Sequence, residues 1–174
     1  MTSLNNESRH IAFFAGSFDP FTRGHQSIVL RSLSLFDEVV IGIGINPAKS
    51  AMMTVEQRME WIESVFHDYP QVSVVNYSGL TVDAARQAGA VCLIRGVRGA
   101  DDLAYEQQVA DYNRKATGIE TVFLPALPEE EEISSTLLRS LIRQHKDVKH
   151  LLPHNYPQHI ADALFAKFAP IENV

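Results

Sequence analysis

Apolar positions along this 174-residue chain follow two alternating rhythms. Short runs rich in Val, Ile or Phe occur at 11–15, 38–45, 72–76, 91–94 and 121–124. Apolar runs of this length suit strands covered on both faces, as in a parallel sheet. Between them lie segments with helical spacing. One at 25–36 sets Ile28, Leu30, Leu33, Leu35 and Phe36 near one side; others span 54–66, 81–88, 101–117, 134–145 and 156–168. Thr54 and Gln57 have capping-box spacing, Ser134 and Ser135 are N-cap candidates, and Gly89 and Gly118 stand where a helix hands over to a left-handed residue. Strand–helix alternation implies right-handed crossovers in an α/β fold. The expectation is a dinucleotide-binding (Rossmann-like) fold. Its parallel sheet has five strands in the order 3-2-1-4-5, with helices on both faces. Ligands in such a fold sit outside the carboxyl ends of the strands, at the switch point between the first and fourth. No repeat or linker interrupts the chain. Residues 1–9 are expected to be a disordered tail, and 10–174 a single domain that includes the C-terminal helices.

Composition narrows the function classes. At 45% hydrophobic and 21% charged residues the chain is neither low-complexity nor collagen-like. A net charge of −6 argues against a nucleic-acid partner, whose binding rests on neutralising many phosphates. The single cysteine, Cys92, excludes an intrachain disulfide framework, and its place in a predicted strand reads as core. No apolar run has membrane-spanning length and residues 1–9 lack a secretory core, so a cytoplasmic location with no membrane partner is expected. His145, His150, His154 and His159 read as surface residues, since Pro153 breaks helical pairing, and no protein-held metal site is predicted. Trp61, with Arg58 and Met59, reads as core or interface.

The switch point carries the candidate chemistry. After the first strand come Gly16-Ser17-Phe18-Asp19-Pro20-Phe21-Thr22-Arg23-Gly24-His25, then a helix. A helix N-terminus presents free N–H groups and a partial positive charge, a ready anion site. His25 adds a donor on the first turn and Ser17 a hydroxyl. The plainer alternative is a strand–turn–helix connection capped by Thr22. After the fourth strand come Ile94-Arg95-Gly96-Val97-Arg98. Two arginines three apart in a glycine-flanked turn suit forked contacts with phosphate oxygens; the alternative is surface pairing with Asp101 or Asp102. Ser134, Ser135 and Thr136 either cap a helix or meet phosphate. The acidic run 129–132 is expected to face away from any polyphosphate.

The Thr22-Arg23-Gly24-His25 string resembles the (T/H)xGH signature of the nucleotidyltransferase superfamily. The longer GSFDPFTRGH string resembles the phosphopantetheine adenylyltransferase family. Asn46-Pro47-Ala48-Lys49, Ile94–Arg98, Tyr105-Glu106 and Ile133-Ser134-Ser135-Thr136 are similar to that family's other motifs, in its order. The resemblance implies ATP and 4′-phosphopantetheine as substrates, Mg²⁺ carried with ATP, and dephospho-coenzyme A and pyrophosphate as products. It also implies a homohexamer, with coenzyme A as a candidate feedback ligand. It assigns His25, Lys49, Ser17 and Arg98 to catalysis. It assigns Ser17, Lys49, Arg95, Leu80 and Thr81 to the acceptor; Thr81 stands where some relatives have Met. ATP falls to Gly16, Ser17, Phe18, His25, Gly96, Val97, Arg98, Ile133, Ser134, Ser135 and Thr136, and its ribose to Glu106, which alone would read as a solvated helix residue. The chain departs from many relatives at 129–132, where an aromatic is often found. Two rivals remain: another nucleotidyltransferase with a different nucleotide or acceptor, and a non-catalytic nucleotide-binding module.

Overall fold

A computed structural model describes residues 9–48 and 50–168. The tail predicted at 1–9 falls, apart from Arg9, outside the described residues, as does Lys49. Five strands form one sheet: β1 (Ile11–Gly16), β2 (Glu38–Gly44), β3 (Val72–Tyr77), β4 (Cys92–Val97) and β5 (Glu120–Pro125). All pairs are parallel and the order is β3-β2-β1-β4-β5, as the alternation predicts. The helices are α1 (Arg23–Ser32), α2 (Val55–Val65), α3 (Thr81–Gln87), α4 (Ala100–Thr117), α5 (Ser135–Arg143) and α6 (Gln158–Ala166).

Successive strand residues point to opposite faces, and two cores result. Phe14, Ile41 and Ile94 join Trp61, Leu138 and Ile160 on one face, beneath α1, α2, α5 and α6. Phe13, Val40 and Leu93 join Val82, Ala85 and Ile119 on the other, beneath α3. Cys92 is buried in the first core, and burial pushes its thiol up to about 11, which leaves it un-ionised and inert at neutral pH.

Local signals set most ends. Thr22 and Thr54 both close capping boxes, with His25 and Gln57 as the reciprocal partners. Gly118, with φ +76°, ends α4 in the left-handed conformation that glycine adopts without strain. Two expectations are corrected. Helix α1 stops at Ser32 rather than reaching 36: the Ser32 hydroxyl donates back to the Ile28 carbonyl, and Leu35 is left 58% exposed. Strand β4 runs three residues further than predicted, through Val97, because its pairing with β5 continues to Val97 opposite Pro125. Arg95 is therefore a strand residue, and only Arg98 lies in the turn.

The β1–α1 connection has no strand or helix partners of its own and is held from outside. The buried Asp19 carboxylate accepts from the Met52 and Met53 N–H groups at 2.7 and 2.8 Å. Arg58 of α2, itself buried, donates to the Ser17 carbonyl at 2.8 Å. Arg139 of α5 donates to the Asp19 carbonyl at 2.8 Å, and the Ser135 hydroxyl to the Pro20 carbonyl at 2.8 Å. Asp19→Ala strands two buried amides, so a loss of about 2–4 kcal/mol is expected; urea denaturation with a wild-type slope and an unchanged midpoint would refute this.

Candidate active site

A cleft of about 330 Å³ opens between the carboxyl ends of β1 and β4. One wall is the β1–α1 connection and the first turn of α1, the other the end of β4 and the start of α5. The N-termini of two helices, at Gly24–His25 and Ser134–Thr136, both reach it. The structure brings thirteen predicted residues to this cleft: Gly16, Ser17, Phe18 and His25 from the first wall, Arg95, Gly96, Val97, Arg98 and Glu106 from β4 and α4, and Ile133, Ser134, Ser135 and Thr136 from α5 and its approach. A second hollow shares Ser17 and Arg95 with it and adds Asn46, Tyr77 and Thr81. Leu80 lines neither; its side chain is 66% exposed.

Phe18 shapes the first wall. Its backbone is left-handed, with φ +47°, a conformation of about 1–3 kcal/mol cost for a non-glycine residue. The conformation lays its ring against Gly16, where a Cβ would come within 2.8 Å of the ring. The same ring meets the His25 imidazole edge-on, 5.1 Å between centroids, and Phe14 and Phe21 complete the enclosure.

That enclosure fixes the chemistry of His25. The Thr22 N–H donates to Nδ1 at 3.0 Å, so Nδ1 is an acceptor and the neutral ring carries its proton on Nε2. Burial, then the charges of Arg98 and Arg95, lower the pKa from 6.5 to about 4. At neutral pH His25 offers an uncharged N–H donor on the cleft wall.

Arg95 is bound on three sides. Its Nε and Nη2 donate to the two Glu106 carboxylate oxygens at 2.7 and 2.6 Å, and Nη1 donates to the Ala15 carbonyl at 2.8 Å. Burial opposes its charge, but Glu106 outweighs that and the pKa is raised. Glu106 is 6% exposed, so it is not the solvated helix residue that its position alone suggests. Arg98 is exposed and looser, its Nε 3.6 Å from Asp102. Ser134 caps α5, accepting from Leu137 N–H at 3.1 Å, and Thr136 accepts from Arg139 at 3.0 Å.

The acidic run is corrected in part. Glu129, Glu131 and Glu132 are exposed, but Glu130 is buried, lines the cleft and lies 3.9 Å from Arg23. Each carboxylate lining the cleft, Asp102, Glu106 and Glu130, is thus paired with an arginine. Sequence reasoning missed the supports Asp19 and Arg139 and read Arg58 as core or interface. Their partners lie 33, 120 and 41 residues away along the chain, and no local pattern marks them.

Residues 13–141 match the cytidylyltransferase-like family model. The chain is 48% identical over 148 residues to a phosphopantetheine adenylyltransferase of Porphyromonas gingivalis, spanning 85% of this chain and 97% of that one. It is 50% identical over 142 residues to the one of Phocaeicola vulgatus, spanning 82% and 94%. Among solved structures it resembles a bifunctional NMN adenylyltransferase/ADP ribose pyrophosphatase from Francisella tularensis, complexed with AMP and a manganese ion. The TM-score is 0.67 at 16% identity, over 92% of this chain and 52% of that one. That likeness concerns the fold.

The depressed His25 pKa has a signed consequence. Below pH 6.5 the unfolded chain takes up a proton that the folded chain refuses until about pH 4. Stability from this site is therefore fully present above pH 6.5 and is lost as the pH falls through about 4. In His25→Gln, unfolding free energy is expected to fall less between pH 6.5 and 4 than in wild type, and ¹⁵N NMR should show a neutral Nε2–H ring at pH 5.5. A ring half-protonated near pH 6.5 would overturn the assignment.

Proposed function

The chain belongs to the phosphopantetheine adenylyltransferase family, and on that premise we propose that its cleft transfers the adenylyl group of ATP to 4′-phosphopantetheine. The products are dephospho-coenzyme A and pyrophosphate, in coenzyme A biosynthesis. One observation carries the reading: the neutral His25 donor, two helix N-termini and the Arg95/Arg98 pair all line one cleft.

The acceptor's phosphate monoester is already an anion at neutral pH, with a second pKa near about 6. Its oxygen attacks the ATP α-phosphorus in line; the new P–O bond forms as the bond to pyrophosphate breaks. No protein nucleophile or strong base is needed, so catalysis is positioning and stabilisation of charge. In this reading His25 Nε2–H donates to the α-phosphate, and the α1 N-terminus lies behind it. Ser17 holds the incoming phosphate beside it. Arg95 binds the acceptor phosphate from the boundary of the two hollows, and Lys49, outside the described residues, shares that role. Arg98, loosely held, follows the β- and γ-phosphates with Ser135 and Thr136. Ile133, Gly96 and Val97 frame the base, and the acceptor's arm passes Thr81. The cleft carboxylates Asp102, Glu106 and Glu130 are already paired with arginines, so Mg²⁺ would enter with ATP rather than on a protein site, and when bound would supply charge compensation for the pyrophosphate.

The assembly we propose is the homohexamer. Helix α4 buries only Glu106 yet exposes Tyr105 (64%), Val109 and Tyr112 (71%) along one side, an apolar face of the kind a second copy covers. Coenzyme A, which shares the acceptor's arm, is the candidate feedback ligand. The setting is the cytoplasm; among the described residues no helix is long and apolar enough to cross a membrane.

Pyrophosphate release is expected with ATP and 4′-phosphopantetheine, and little with CTP. Tight binding without turnover would favour a nucleotide-sensing module instead. His25→Ala should lower kcat by about 10²–10³-fold, the usual loss for one charge-stabilising donor; unchanged turnover removes His25 from the mechanism. Light scattering should give the mass of six chains, and Tyr112→Glu should reduce it. A wild-type monomer rejects the assembly.

A further inference from the structure

We propose that Glu130 selects the nucleobase: its carboxylate accepts a hydrogen bond from the exocyclic amino group of adenine and repels a purine that carries a carbonyl oxygen in that place. This deepens the reading above and rests on it for ATP as the nucleotide and for Ile133, Gly96 and Val97 as the frame of the base. The cleft is apolar there, walled by Ile28, Gly96, Val97, Ala126 and Ile133. Gly96 and Ala126 carry almost no side chain, and a Cβ on Gly96 would come within 3.1 Å of Ile28. Such a wall of near-bare backbone suits a flat ring. The turn Pro128–Glu130 then sets one carboxylate beside it. The Glu130 N–H donates to the Leu127 carbonyl at 2.8 Å, and the Ile133 N–H donates to the Glu130 carbonyl at 3.0 Å.

The carboxylate itself calls for a ligand. Glu130 is 8% exposed and lines the cleft, and a buried carboxylate needs partners for its oxygens. Its charge partner, Arg23, stands 3.9 Å away, beyond hydrogen-bond reach, and among the described residues its oxygens accept no hydrogen bond. The other two carboxylates of the cleft are supplied: Glu106 takes two N–H groups of Arg95, and Asp102 takes the Arg98 amide at 3.1 Å. The unfilled acceptor is thus the one beside the base. Arg23 compensates its charge without occupying its oxygens. An ionised carboxylate accepts and cannot donate, and the purines divide on that property. Adenine presents an N–H₂ donor where guanine presents an oxygen, and hypoxanthine has the same oxygen. The amino group gives Glu130 its missing donor; the oxygen sets lone pair against lone pair.

ITP carries the carbonyl oxygen in place of the amino group of ATP, so the pair reads the contact directly. In wild type the KM for ITP should exceed that for ATP by about 10–100-fold, the usual worth of one hydrogen bond to a charged group. Purine riboside triphosphate, with hydrogen in that place, should fall between the two, since it loses the bond without adding the repulsion. In Glu130→Gln the amide can turn its N–H₂ to a carbonyl oxygen, and the ratio of the two KM values should shrink to within about threefold. Glu130→Ala should shrink it too, and serves if the glutamine variant does not fold. A purely structural role for Glu130 would move both nucleotides together and leave the ratio as it was. Equal KM values for ATP and ITP in wild type, purine riboside triphosphate used as well as ATP, or an ATP preference that survives the substitution overturns the proposal. Calorimetric titration of ATP and of ITP without acceptor reads the same preference as a ratio of Kd values. If wild type prefers ATP in that titration and Glu130→Gln does not, yet no pyrophosphate is released with 4′-phosphopantetheine, the functional reading fails and the assignment of Glu130 stands; equal Kd values in wild type reject the assignment whatever the turnover.

Discussion

The connection between β1 and α1 is the element on which the cleft depends, and it is held almost wholly by residues distant in sequence. A loop that leaves a central strand carries backbone groups with no ladder to satisfy them. Here Arg58 takes the Ser17 carbonyl, Arg139 the Asp19 carbonyl and Ser135 the Pro20 carbonyl, while Asp19 itself receives two amides from 52–53. The supports come from α2, the segment before it and α5, elements whose apolar sides build the larger core. Packing of that core and placement of the cleft are one event. The left-handed Phe18 backbone persists because those contacts over-determine it.

A chain of net charge −6 can still build a site for anions, because the sign of a cleft is set locally. The carboxylates lining this one are each matched to an arginine, and two helix N-termini add partial positive charge. The same field acts on His25. Burial and the neighbouring guanidinium groups keep its ring neutral, and the Thr22 amide keeps the proton on Nε2. The consequence is a donor whose protonation does not change across the physiological range. It gives up the stronger attraction of an imidazolium for an anion and gains a fixed geometry and a fixed state.

The sheet order and the switch point were legible from the sequence, because strand–helix alternation and right-handed crossovers leave few topologies. The residues at the ends of β1 and β4 were legible for the same reason: Gly, Ser, His and Arg converge where such folds bind ligands. Illegible were the choices made by tertiary partners. Glu106 has the sequence of a solvated helix residue and is buried by an arginine eleven positions earlier. Glu130 sits in a run of four glutamates, and only the turn at Pro128–Glu130 and the proximity of Arg23 bring it inward. Leu35 has helical spacing but lies past the point where Ser32 ends α1.

Helix α4 joins these threads. It has eighteen residues, and the one it buries is Glu106, so burial of its own apolar side contributes little to its stability within one chain. Most helical stability in proteins comes from tertiary packing; α4 is held by its contacts along β4 and β5, by its ion pair into β4 and, in the assembly proposed here, by a second copy over Tyr105, Val109 and Tyr112. The same helix would then carry both the interface and the carboxylate that pairs with Arg95. Covering its outer face would stiffen the element that holds that guanidinium, linking assembly to the cleft through a single rigid segment and no change of fold.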